Sequence, residues 1–233
     1  MIFRSALFNI SFILWTLIIG GLGLPFSFAH STLANRVART WAIGSIWLLR
    51  VLCDIRFEVR GRENIPTGPA IIASKHQSAW DTAIFWQFLD KPAFVLKREL
   101  IYIPVFGWQL VLLKGIYIDR SAGAGAIKRM LRQARDRVAQ GFSIVIFPEG
   151  TRTQPGATAV YHPGVAALYN NLQLPVVPVA LNSGQHWSRK AFLKRPGVIT
   201  IEFLPHIQPG LKGRDFLATL QERIETASTK LLH

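Results

Sequence analysis

Acidic side chains are scarce in this sequence: 13 Asp and Glu stand against 27 Lys and Arg in 233 residues, a formal charge of +14. So large an excess points to an anionic partner, whether nucleic acid, an anionic membrane or a phosphorylated substrate. Cysteine is scarcer still. The single Cys53 excludes an intramolecular disulfide framework, and its setting in WLLRVLCDI reads as a small buried or membrane-facing side chain. Low-complexity tracts, internal repeats and a second-domain linker are missing too. Half of the residues are apolar and 11% are aromatic, which excludes intrinsic disorder. The length fits one sizeable domain with a real core. His30, His162, His186, His206 and His233 fall in no H-E-x-x-H spacing, so they read as surface or structural residues rather than metal ligands. No G-x-S-x-G elbow occurs, which weighs against Ser78 as a nucleophile.

Charge is wholly absent from residues 6–29, a stretch dominated by Leu, Ile and Phe. It exceeds the ~20 apolar residues needed to cross a bilayer. It is too long for the apolar part of a signal peptide, and no clean small-x-small site precedes a polar start. Gly20, Gly21, Gly23 and Pro25 weaken or bend a helix there. After Arg36 and Arg39 comes a second apolar segment, residues 41–51. It is too short to cross but long enough to lie in the interface, with Trp41 and Trp47 as anchors. Residues 1–53 are therefore expected to form a membrane-attachment helical hairpin, partly inserted rather than spanning. The basic residues after the first segment favour the cytoplasmic side for the rest of the chain. The competing reading makes both segments core helices of a soluble protein.

Over residues 54–233 short apolar or β-branched runs alternate with helix-like segments. Strands are expected over 55–59, 69–73, 93–96, 116–118, 143–147, 176–181 and 198–204, and helices over 79–89, 124–139, 165–171 and 215–232. This is the pattern of an α/β fold: a mixed, largely parallel sheet flanked by helices, forming one catalytic or binding unit. In such folds ligands gather at the loops leaving the carboxyl ends of the strands.

The stretch IIASKHQSAWDTAIF, residues 71–85, sits at one such end. Five helical residues would set His76 and Asp81 ~140° apart, so they meet only if His76 stands in the loop and Asp81 in the first helical turn. An ionised Asp81 would then fix the imidazole tautomer and stabilise the imidazolium. A structural reading fits equally well: Ser78-x-x-Asp81 has capping-box spacing, with a carboxylate favoured in the first turn.

Other strands end in cations. IVIFPEGTRT (144–153) places Arg152 after a Pro-x-Gly turn, GIYIDR (115–120) ends in Asp119-Arg120, and VLKREL (95–100) delivers Lys97-Arg98. Arginine offers a bidentate fork to phosphate. One such loop would mean little, but these three together with the histidine stretch read as the rim of a shared anionic site. The basic helix KRMLRQARDRV (128–138) has no interleaved aromatics for base stacking, so nucleic acid is not the expected partner. Its charge reads as a solvated face, or as attraction to anionic lipid or an acidic carrier protein.

Four ordered blocks, HQSAWD (76–81), GIYIDR (115–120), FPEGTR (147–152) and VPVAL (177–181), resemble the glycerolipid acyltransferases, and among them the bacterial 1-acyl-sn-glycerol-3-phosphate acyltransferases. Lys75 departs from the Asn that many members carry before the histidine. The resemblance implies transfer of an acyl group from acyl-CoA or acyl-carrier protein to lysophosphatidic acid, giving phosphatidic acid. It implies His76 as general base oriented by Asp81, without acyl-enzyme, metal or other cofactor. It also implies that Arg120, Glu149, Gly150, Thr151 and Arg152 bind the glycerol phosphate end, with Lys97 as a further contact. Backbone amides near the Pro148-Glu149-Gly150 turn are the expected oxyanion donors. The implied location is the bacterial inner membrane, with the catalytic unit facing the cytoplasm. A different lyso-lipid acceptor, such as a lyso-ornithine lipid, and a lipid-binding protein without catalysis are the alternatives.

Overall fold

The computed structural model describes residues 1–29, 31–104, 106–119 and 123–232. Two helices, α1 (Ile2–Ala29) and α2 (Ser31–Cys53), run antiparallel before the first strand. The strands are β1 (Ile55–Arg60), β2 (Ile71–Ser74), β3 (Pro92–Lys97), β4 (Ile116–Ile118), β5 (Ser143–Ile146), β6 (Val176–Leu181) and β7 (Gly197–Phe203). Between and after them lie α3 (Trp80–Ile84), α4 (Phe106–Leu112), α5 (Gly123–Ala139), α6 (Gly164–Leu172), α7 (Ser183–His186) and α8 (Gly213–Lys230).

The seven strands form one sheet in the order β1-β7-β6-β2-β5-β3-β4. From β6 to β4 all neighbours are parallel, so five carboxyl ends meet at one edge. β7 runs antiparallel to β6, and β1 pairs parallel with β7. The sheet is buried on both faces, which is why β2 and β6 read as continuous apolar runs rather than alternating ones. Along β2, Ile72 enters the cluster under α2 and α3, while Ile71 and Ala73 enter the cluster under α5, α6 and α8. Each fully buried Ile or Val in these layers contributes roughly 1.5–3 kcal/mol.

The N-terminal hairpin shares the core on one side of the sheet. Ala34, Ala38, Ala42, Ile46, Leu49 and Cys53 form a buried stripe along α2 at helical spacing. Five of them, Ala38 to Cys53, lie in one cluster with Ile72 and Val145. The helix begins at Ser31, ten residues before the apolar segment read from the sequence. The first half of its buried face is built from alanines, which mark close approach rather than bulk. α1 runs unbroken through Pro25, and Gly23 serves packing while Gly21 faces open space. A Cβ on Gly23 would collide with Val37, and one on Gly44 of α2 would collide with the Trp15 ring. Arg4 Nε donates to Leu52 O at 2.7 Å, tying the start of α1 to the end of α2. Lys194, 2% exposed, donates to Asn9 Oδ1 at 2.8 Å and lies over the Phe8 and Trp187 rings.

Elsewhere the helix expected over 79–89 is one turn of α-helix followed by a 3-10 turn, Phe85–Gln87. The short α7 had no sequence expectation. His30 and His233, read as surface or structural residues, lie outside the described residues.

Candidate active site

β2 delivers the histidine. The strand is wholly buried between β5 and β6, and the chain leaves it through Lys75 to turn into α3. His76 Nδ1 lies 2.9 Å from Asp81 Oδ2. The same oxygen accepts from the Gln77 amide at 2.6 Å and the Ser78 amide at 2.7 Å, and Ser183 Oγ donates to Oδ1 at 2.5 Å. Asp81 is fully buried and ringed by donors, the setting of an acceptor-only carboxylate. Against that carboxylate Nδ1 carries the hydrogen. Nε2 then keeps its lone pair and has no protein partner among the described residues. The ring stacks on Phe147, centroids 3.9 Å apart and planes 18° apart, and 13% of the side chain is exposed.

Both sequence readings of this stretch describe the same carboxylate. Asp81 reaches back to the Ser78 amide as a first-turn cap, and Ser78 Oγ accepts from Trp80 N at 3.2 Å. The cap and the imidazole share Oδ2. Capping holds the loop that carries the histidine.

The turn after β5 supplies the opposite wall. Gly150 adopts φ 66, and its amide closes the turn onto Phe147 O at 2.9 Å, which occupies that N–H. Glu149 is turned inward. Its carboxylate accepts from the His76 amide at 2.8 Å, Thr153 Oγ1 at 2.9 Å and Lys75 Nζ at 2.8 Å. Thr153 N also donates to His76 O at 2.8 Å, so the histidine backbone is gripped on both sides. Burial pushes the Glu149 carboxyl up from its usual range, and the Lys75 ammonium opposes that push.

Thr151 is exposed and Arg152 half-buried beside the dyad. Burial lowers the Arg152 guanidinium from its ordinary value, the Asp81 charge raises it, and Arg189 lowers it. Neither arginine has a salt-bridged carboxylate among the described residues, which leaves both guanidinium groups available to an anion. Lys97 is exposed at the end of β3, and its neighbour Arg98 pairs with Asp119 at 3.2 Å. Arg120 lies outside the described residues. His76, Asp81, Glu149 and Arg152 thus converge at the ends of β2 and β5, while Lys97 stands farther along the same edge.

Sequence reasoning missed Ser183 and Gln77. Gly184 N donates to Gln77 Oε1 at 2.9 Å, so α7 is fastened to the histidine loop at two points. Position was the available signal: Ser183 leaves the end of β6, the strand beside β2.

An apolar cavity of about 370 Å³ opens between the hairpin and the α/β unit. Trp41, Trp86, Phe94, Leu96, Phe106 and Leu113 are among its walls, and Thr82, the residue after Asp81, also lines it. Among the described residues no group of His, Cys, Asp or Glu converges to hold a metal ion.

A sequence profile described as "Acyltransferase" matches residues 56–182, which include both members of the dyad and the turn after β5. A 1-acyl-sn-glycerol-3-phosphate acyltransferase from Pseudomonas aeruginosa is 43% identical over 189 residues, 81% of this chain and 74% of that protein. One from Limnanthes alba is 33% identical over 205 residues, 87% of this chain and 70% of its own. The crystal structure of the 1-acyl-sn-glycerophosphate acyltransferase from Thermotoga maritima superposes with a TM-score of 0.80 at 23% identity, covering 100% of this chain and 98% of that one. That likeness is one of fold.

Proposed function

The chain belongs to the acyltransferase family, and we propose that it transfers an acyl group from an acyl-CoA or acyl-carrier-protein thioester to the free hydroxyl of lysophosphatidic acid, forming phosphatidic acid and the free thiol. The observation that carries this reading is the paired imidazole, with Nδ1 held at 2.9 Å by a carboxylate saturated with donors and Nε2 open. A hydroxyl is a poor nucleophile near neutral pH. Nε2 takes its proton as the oxygen attacks the thioester carbonyl, and Asp81 stabilises the imidazolium that forms. The tetrahedral intermediate collapses to the ester, and the departing thiolate takes the proton from Nε2. Each cycle returns the histidine to its starting tautomer.

The named activity of the relatives supports the acceptor. Arg152, without a salt-bridged carboxylate among the described residues, is the group best placed for its phosphate, with Lys97 and Arg120 as further contacts implied by the family pattern. The acyl chain of the donor occupies the apolar cavity that starts at Thr82. The hairpin lies on the cytoplasmic face of a bacterial inner membrane. α1 is long and apolar enough to cross a membrane, but it packs along α2, whose other face is part of the core. A crossing α1 would have to carry α2 with it, so α1 rests in the interface.

The test is product mass from a panel of lyso-lipid acceptors given acyl-CoA or acyl-carrier-protein donors. Phosphatidic acid formed from lysophosphatidic acid, and lost in His76→Ala, supports the reading. Transfer only to another lyso-lipid moves the acceptor assignment, and transfer to none removes the proposal.

A further inference from the structure

Lys75, the residue before the histidine, is one of the largest fully buried side chains, 1% exposed. An ammonium has three donors, and all three are used. Lys75 Nζ meets Glu149 Oε1 at 2.8 Å, the Glu225 carboxylate at 2.7 and 2.8 Å, and Ala157 O at 3.1 Å. Tyr161 Oη donates to Glu225 Oε1 at 2.9 Å. The far end of the network is the His76 amide on Glu149 Oε2. One continuous chain of charged contacts therefore runs from the middle of α8 to the backbone of the base.

We propose that Lys75 and Glu225 are positioning residues for His76: Glu225 on α8 seats Lys75, Lys75 keeps Glu149 ionised, and Glu149 holds the His76 main chain where its ring meets Asp81. The inference rests on the acyl-transfer reading above. Its physics is the balance of one buried cation against two carboxylates. Glu149 faces Lys75 from the turn after β5, Glu225 from α8, Tyr161 from the segment before α6, and His76 is the next residue in the chain. Without the cation, two carboxylates would face each other, Glu149 fully buried and Glu225 18% exposed, and burial with like charge favours a proton on Glu149. A protonated Glu149 would offer the His76 amide a neutral acceptor, roughly half as strong as a carboxylate. Burial raises the Glu149 carboxyl and the Lys75 ammonium restrains that rise.

Two substitutions push Glu149 in opposite directions. Lys75→Met removes the restraining cation, so Glu149 takes its proton at higher pH. Glu225→Gln keeps the shape and removes a neighbouring negative charge, so Glu149 takes it at lower pH. The experiment is the pH profile of kcat for the full chain in mixed micelles with lysophosphatidic acid and acyl-CoA, with thermal midpoints recorded in parallel. We expect the acidic limb of Lys75→Met to move up, with kcat lowered on the order of tenfold and the acceptor KM little changed, and the limb of Glu225→Gln to move down. Loss of packing alone would lower the thermal midpoint without shifting the two limbs in opposite senses. Limbs that coincide with the wild type in both folded variants overturn the inference. If Lys75→Met fails to fold, the shift in Glu225→Gln decides alone. A wild type inactive on every acceptor would count against the proposed reaction instead. The His76 ring titration, followed by NMR in the same proteins, would then still read the network, with the same opposite shifts expected and coincident titrations overturning it.

Discussion

At the scale of single residues the site turns on how many donors one carboxylate can accept. Asp81 takes four, from His76, Gln77, Ser78 and Ser183. An amide cannot reproduce that, because one of its two heads is itself a donor. Asp81→Asn is expected to lower kcat by roughly 10²–10⁴ through the wrong imidazole tautomer and a displaced loop, and rate measurements beside circular dichroism check that the fold survives. Ser183→Ala removes one donor and leaves Oδ1 buried without it, so we expect a loss of about 1–3 kcal/mol in denaturant unfolding and a smaller loss in kcat. An unchanged unfolding midpoint would show the contact to be dispensable. The pairing of His76 with Asp81 was legible because both lie in one loop and first turn. Ser183 was not legible, since it is 102 residues away in sequence and reaches Asp81 only because β6 lies beside β2.

At the scale of elements the sequence is clearest where bulk or β-branching sets the pattern, as along β2, β5 and β6. It is least clear where small residues do the packing. Only the bulky half of α2 stands out in the sequence because alanine contributes little to an apolar count, although Ala34, Ala38 and Ala42 are its docking face. Gly23 reads as a helix weakener in the sequence, yet it is a site of close approach to Val37. Gly44→Ala drives a methyl into the Trp15 ring and strains the bond from Trp15 Nε1 to Trp41 O, 3.0 Å. We expect a cost of about 1–3 kcal/mol, read as a lower unfolding midpoint. The hairpin also walls the apolar cavity, so its contents should respond to size. Leu110→Trp narrows that space from the α4 side, and long-chain acyl donors should lose more kcat/KM than short ones. An equal loss for all chain lengths would argue that the donor lies elsewhere.

For the whole molecule, fold class and the edge that bears the site followed from strand–helix alternation, because parallel strands joined by helices must send their carboxyl ends the same way. The order of the strands did not follow. β7 reverses beside β6, and β1 closes onto β7 across most of the chain, pairings that leave no local trace. The surface shows the same division between patterned and unpatterned information. Ile10, Leu14, Leu17 and Leu22 of α1 are exposed, as are Tyr102, Phe106, Trp108 and Val111 around α4, and Gln109 Nε2 reaches Gly20 O at 3.4 Å, so the two elements adjoin. An apolar face of this kind, on a chain carrying +14, fits an anionic bilayer that takes the rings and attracts the charge. Tyr102→Asp with Trp108→Asp should weaken sedimentation with anionic vesicles and slow turnover of vesicle-borne acceptor, while turnover of acceptor in detergent micelles changes little, since neither ring lines the cavity. Wild-type binding should also fall as ionic strength rises, since the charge contribution is screened over about 8–10 Å at physiological salt, and the residual high-salt binding measures the apolar share. Equal losses on vesicles and in micelles would instead place these two rings in the path of the substrate.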